Sequence, residues 1–291
     1  MDGLSAMPRK LKIQYHDKAE SARAVVVAVA NQKGGVGKTS TVANLAAALS
    51  ENGYKVLVVD LDPQGSLSVH LGINIDSECP TIYDVLLEKS EGITLTSVIQ
   101  RAKDDQVDVV PANIDLCQAE IELIAELSRE KVLDNALEEV RDKYHFILLD
   151  CPPSLGILTT NALAAADRVL IPMLPDFQAL RAAKYITQTI AKVRKKVNQK
   201  LDILGVLVAR KDNTVHGKDS TQVIKKMFPG RVFDTVISKN VRAQEAPASG
   251  TSVLTYDGRS RAARDYKKLA KEVAAVVFSG RQEVLEAVVN D

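Results

Sequence analysis

Apolar residues in this chain gather into short unbroken runs, and longer stretches of helical periodicity separate them. That alternation marks parallel strands buried on both faces and joined by helices. The run AVVVAVA at 24–30 predicts the first strand. A polar, glycine-rich loop follows, NQKGGVGKTS, then the helical pattern TVANLAAALSENG with a stop at Gly53. KVLVVDLD at 55–62 reads as a second buried strand. Strand, loop, helix and strand make one βαβ unit.

The pattern continues more faintly. Strands are expected at 106–110, 144–150, 168–173, 202–209 and 231–237. Helices are expected at about 113–128, 130–142, 156–166, 176–198, 217–228, 259–277 and 281–290. The stretch 72–105 carries no usable signal. Residues 1–23 are polar and irregular and read as an N-terminal arm. Residues 24–291 read as a single α/β domain, a mostly parallel central sheet flanked by helices, at the upper end of single-domain size.

With 46% apolar residues in 291, the chain can bury a core, which excludes disordered and collagen-like classes. Cys79, Cys117 and Cys151 lie far apart with no Cys-x-x-Cys pair, against a zinc ribbon or disulfide scaffold. Bland, buried thiols are the reading for Cys117 and Cys151. The N-terminal segment lacks an apolar signal core, so a cytoplasmic location is expected. The acidic tail EVAAVVFSGRQEVLEAVVND would be repelled by an anionic bilayer, so no membrane partner is expected. The net charge of +1 hides an asymmetry: between Arg181 and Lys271 stand 21 Lys and Arg against 7 Asp and Glu. A surplus of that size on an otherwise acidic body points to a polyanion.

Lys33-Gly34-Gly35-Val36-Gly37-Lys38-Thr39 lies between an expected strand and an expected helix, the context a phosphate loop requires. Glycines let backbone N–H groups turn toward an anion, and the helix adds its positive end. Lys38 can reach β- and γ-phosphates, Thr39 can ligate Mg²⁺, and Ser40 can offer its N–H to the α-phosphate. The first glycine of the standard motif is Gln32 here, and Lys33 stands at the loop entrance instead. Asp150, ending FILLD, is the type of residue that supports Mg²⁺ in phosphate-loop enzymes. Asp60 and Asp62 end the second strand, where ligand crevices of parallel sheets lie.

KGGVGKT resembles the deviant phosphate loop of ParA/MinD ATPases, and the resemblance extends over about residues 24–275, with VDLDPQG and Asp150-Cys151-Pro152-Pro153 matching two further family segments. It implies a MinD-like (SIMIBI) P-loop NTPase binding ATP and Mg²⁺ at Lys33, Gly34, Gly35, Val36, Gly37, Lys38, Thr39 and Ser40. Lys33, Lys38 and Asp62 would be catalytic, Asp62 orienting the attacking water and Asp60 standing nearer the metal's outer shell. Thr39, Asp62 and Asp150 form the expected metal set. Lys33 would be sent to a second subunit's phosphates in an ATP-bound homodimer. ISKNVRAQEAPASG resembles the family's C-terminal block, which makes Arg242 the expected contact to non-specific DNA, with Arg210 or Lys211 as substitutes for a second arginine. The implied function is DNA partitioning by a slow ATPase, stimulated by a ParB-like adaptor and associated with the nucleoid. A protein-cargo positioning ATPase and a weakly catalytic DNA-coating scaffold are the alternatives.

Overall fold

The computed structural model describes residues 23–75, 79–88, 92–176, 178–209 and 215–289. The expected arm therefore lies outside the described residues except for Arg23.

The β-branched run forms β1 (Val25–Val29), and the loop after it opens into α1 (Lys38–Glu51). α1 ends against β2 (Val56–Asp60). Three short helices follow, α2 (Ser66–His70), α3 (Ile82–Leu86) and α4 (Leu95–Val98). Thr81 and Thr94 start the latter two with capping boxes, which satisfy N–H groups the helix itself leaves unpaired. Then come β3 (Gln100–Arg101), β4 (Asp108–Val110), α5 (Leu116–Glu122) and α6 (Val132–Leu137). β5 (Phe146–Asp150), α7 (Ile157–Ala165), β6 (Arg168–Met173), α8 (Ala179–Lys196) and β7 (Asp202–Val208) complete the sheet. The chain closes with α9 (Val215–Met227), α10 (Arg242–Glu245), α11 (Val253–Tyr256) and α12 (Arg261–Val289).

The sheet order is β3-β4-β2-β5-β1-β6-β7. All pairings are parallel except the β3–β4 edge. Every residue of β1, β2 and β5 is buried, because helices cover both faces. One apolar layer joins α7 and α8 to the sheet through Leu158, Leu163, Ile186 and Ile190. The other joins α1 and α12 through Val42, Leu45, Leu49, Tyr266, Leu269 and Val273. α12 is thus anchored by its own core face, and among the described residues no helix is long and apolar enough to cross a membrane.

Some expectations are corrected. The segment 231–237 is not a strand: only Val232 bridges Val206. The N–H groups of Asp234 and Thr235 turn instead to the Glu272 carboxylate on α12, both at 3.0 Å, which takes them out of any ladder. The seventh strand is β3, in the stretch without signal. The expected helices at 259–277 and 281–290 are one helix, since a single interior glycine, Gly280, costs only about 1 kcal/mol. The helix expected at 113–128 shortens to α5 and a 3₁₀ turn.

Candidate functional site

β1 and β5 are neighbours in register, with Val29 opposite Asp150, and β5 pairs β2 with Asp150 opposite Asp60. The sheet therefore delivers the glycine loop and the carboxylates to one carboxyl edge, where crevices of open α/β sheets form. Gly35 and Gly37 have φ of +70° and +89°, a left-handed conformation that side chains resist. Gly37 precedes α1, and no side chain caps that helix. Its first N–H groups are left to the cleft, and their partial positive charge suits an anion. Val36 is buried, so it contributes its backbone while its side chain pins the loop to the core.

The loop borders a cleft of about 640 Å³, lined on its near side by Gly34, Gly35, Gly37, Lys38, Thr39, Ser40 and Asp62. A larger hollow of about 760 Å³, lined by Arg23, Glu138, Arg141, Asp167 and Lys200, lies at the opposite, amino edge of the sheet. Its central Arg141 is already spent on Asp134 at 2.6 Å and the Ala165 carbonyl at 2.9 Å. The loop cleft is the candidate site.

Lys38 is buried under the loop, its Nζ 3.5 Å from the Lys33 carbonyl. Burial lowers its pKa, while Asp150 and Asp62 pull it back up. Lys33 takes another course. Its N–H donates to Asn31 Oδ1 at 3.0 Å, and Asn31 is fixed by donating to the Pro172 carbonyl at 2.7 Å. The Lys33 ammonium forms an ion pair with Asp176, in the loop between β6 and α8.

The carboxylates divide their work. Asp60 is buried and accepts from Ser68 N–H at 2.9 Å, Ser68 Oγ at 2.8 Å and Asp62 N–H at 3.1 Å. Burial raises its pKa to about 6 against those bonds. It ties α2 to the strand end, and it stands beside Asp150. Asp62 is half-buried and borders the cleft. Asp150 is fully buried, and neither carboxylate oxygen has a donor in hydrogen-bond geometry. Burial and the nearby Asp60 push its pKa well up, with Thr39 and Lys38 opposing. An orphaned buried carboxylate next to a hydroxyl fits a hard divalent cation that keeps most of its water, so Thr39 and Asp150 suit Mg²⁺.

The far wall was not anticipated. Ile237, Ser238, Lys239, Asn240, Ala243, Gln244 and Pro247 face the loop across the cleft, and Tyr266 closes the end. The segment ISKNVRAQEAP was read for its DNA contact at Arg242 and not as a wall of this cleft, because only the tertiary fold brings it to the loop. The same segment carries Arg242, whose side chain is exposed and paired with Glu245 at 2.9 Å and Asp257 at 3.6 Å. Arg210 and Lys211 lie outside the described residues. Cys151 is buried as expected, but Cys117 is exposed, because it falls on the outer face of α5.

A family model described as an AAA domain matches residues 24–203. The chain is 45% identical over 251 residues to the sporulation initiation inhibitor protein Soj of Bacillus subtilis, covering 86% of this chain and 98% of that one. It is 42% identical over 253 residues to the chromosome partitioning protein ParA of Caulobacter vibrioides, covering 85% and 93%. Among solved structures, cobyrinic acid a,c-diamide synthase of Mycobacterium smegmatis with bound ADP and magnesium superposes with a TM-score of 0.78 at 34% identity, covering 88% and 96%. The cell division ATPase MinD of Pyrococcus furiosus superposes at 0.71 with 27% identity, covering 87% and 99%. With relatives matched along almost their whole lengths and a glycine loop entered by a lysine in place, the chain belongs to the ParA/Soj chromosome-partitioning ATPases of the ParA/MinD family.

Proposed function

We propose that this chain is an ATP-driven DNA-partitioning switch: two ATP-bound copies pair, hold DNA without regard to sequence, and let go after hydrolysis. The observation that carries it is the placement of Lys33. Its own subunit holds it at Asp176, so the glycine loop is served from within by Lys38, and a second copy is needed to complete the charge over the phosphates.

The N–H groups of Gly34–Ser40 hold the phosphates, and the far wall from Ile237 to Pro247 encloses the rest of the nucleotide. Thr39 and Asp150, with Asp62 nearby, would hold Mg²⁺, which when bound neutralises charge on the β- and γ-phosphates. Asp62 orients a water against the γ-phosphorus. As the new P–O bond forms, the bond to the β–γ bridging oxygen breaks, its electron pair staying on ADP and the water's proton passing to the released phosphate. Lys38, and Lys33 of the opposing copy, stabilise the negative charge that spreads over the phosphoryl oxygens. The outward stripe Ile114, Ile121 and Ile124 beside α5, more than half exposed, gives a second copy apolar surface to cover. Arg242 then adds its charge twice per dimer, which raises affinity for the phosphate backbone. A ParB-like adaptor accelerates hydrolysis, and the cycle places the protein in the cytoplasm on the nucleoid.

Phosphate release per chain, measured over a series of protein concentrations with ATP and Mg²⁺, tests this reading. Turnover should rise with concentration, and Lys33→Ala should abolish the rise while ATP still binds. A rate independent of concentration would contradict the shared site.

A further inference from the structure

We propose that α8 carries a second DNA-contact ridge, formed by Arg181, Lys184, Lys192 and Lys195 and separate from Arg242. It rests on the DNA-binding reading above and extends it to a surface that reading does not use. At 3.6 residues per turn, these four cations and the neutral Gln188 fall within an arc of about 80° on one face. The opposite face, with Ala183, Ile186, Ile190 and Val193, is buried in the core, so the ridge points outward.

Three features set this ridge apart from an ordinary solvated helix face. α8 contains no Asp or Glu in its 18 residues. Among the described residues none of the four cations forms an ion pair; Arg181 only lies over the Tyr185 ring, 5.6 Å from its centroid. The like charges stand three residues apart in each couple, Arg181 with Lys184 and Lys192 with Lys195, a spacing at which they repel on a helix. Arg194, Lys195 and Lys196 in the last turn suit the negative end of the helix. Arg181 and Lys184 do not, since they stand near its positive end. Helix stability therefore does not account for them, and a polyanion does.

The spacing selects a duplex. Lys184 and Lys192 are eight residues apart, or about 12 Å along the axis, close to the width of the B-DNA major groove. Each couple can meet the phosphates on one side of a groove, with Gln188 over the gap. Contacts of this kind read no sequence.

The test uses the full chain with Mg²⁺, a non-hydrolysable ATP analogue and random-sequence duplex DNA, followed by fluorescence anisotropy between about 50 and 200 mM salt. A variant carrying Arg181→Gln, Lys184→Gln, Lys192→Gln and Lys195→Gln should still form analogue-dependent dimers. Its duplex affinity should fall about tenfold or more at the low-salt end, and its log–log salt slope should shrink by about 0.9 for each phosphate that is no longer neutralised. A variant with Lys184→Arg, Lys192→Arg and Lys195→Arg should bind as the parent does. Unchanged affinity and slope in the glutamine variant would overturn the ridge and leave the Arg242 reading standing. Equal loss in the arginine variant would also overturn it, since charge would then not be the cause. If duplex binding holds while polyglutamate binding is lost, the ridge serves an acidic protein and the proposal fails. Absence of duplex binding by the unmodified, analogue-bound chain would remove both readings together.

Discussion

Asp150 is fully buried at the end of β5, and neither of its carboxylate oxygens meets a donor in hydrogen-bond geometry, with Thr39 and Lys38 nearby. Leaving a buried carboxylate unpaired costs folding free energy, and the proposed Mg²⁺ role gives the residue a use that stability does not. Asp150→Asn should leave nucleotide-free stability unchanged or higher in denaturant unfolding, while metal-dependent phosphate release is lost. A stability loss above about 2 kcal/mol would make the carboxylate a structural partner of Lys38 instead. His70 offers a pH handle away from that site. It is buried, its Nε2 is unpartnered, and burial lowers its pKa to about 4 against the pull of Asp105. The unfolded imidazole titrates at about 6.5, so on acidification the unfolded chain takes the proton first. The stability that depends on neutral His70 is complete above about pH 6.5 and is lost toward about pH 4, by about 3 kcal/mol at the acid end. His70→Leu should lose less stability than the parent over that interval; matching pH profiles would refute the assignment. The motif residues were legible at this scale because each role demands a residue type: glycines for the turn, Lys38 for the phosphates, an acid at a strand end. The engagement of Asp60 by Ser68 was not, because it depends on α2 folding back onto the strand.

Among elements, the buried strands β1, β2 and β5 were legible because they are continuous apolar runs with polar loops at their ends. β3 was missed because two residues carry no period. The 231–237 segment imitates a buried strand, and no local feature reveals that Glu272, on a helix far along the chain, claims its N–H groups. The cleft's far wall was hidden for the same reason. Its placement depends on long-range bonds such as Val253 N–H to Asn44 Oδ1 at 2.7 Å, which fastens the C-terminal block to α1. The 231–237 segment, which leads into that wall, is held against β7 at Gly205, where a Cβ would stand 2.6 Å from the Phe233 ring. Gly205→Ala should therefore cost about 1–3 kcal/mol in denaturant unfolding, through overpacking. A change within about 0.5 kcal/mol would mean that the ring yields freely and the contact does not set the wall.

For the molecule as a whole, charge asymmetry and the loop were readable before the fold, and the family follows from relatives matched almost end to end. What the single chain holds is half of a proposed machine: a cleft with its own Lys38, a Lys33 tied to Asp176, and an uncovered apolar stripe at α5. The most direct measurement is sedimentation velocity of the full chain with Mg²⁺ and a non-hydrolysable ATP analogue, beside Lys33→Ala under the same conditions. Dimers are expected for the parent with analogue, single chains with ADP, and single chains for Lys33→Ala despite bound analogue. Single chains for the parent at every nucleotide state, or dimers indifferent to Lys33, would contradict the shared site.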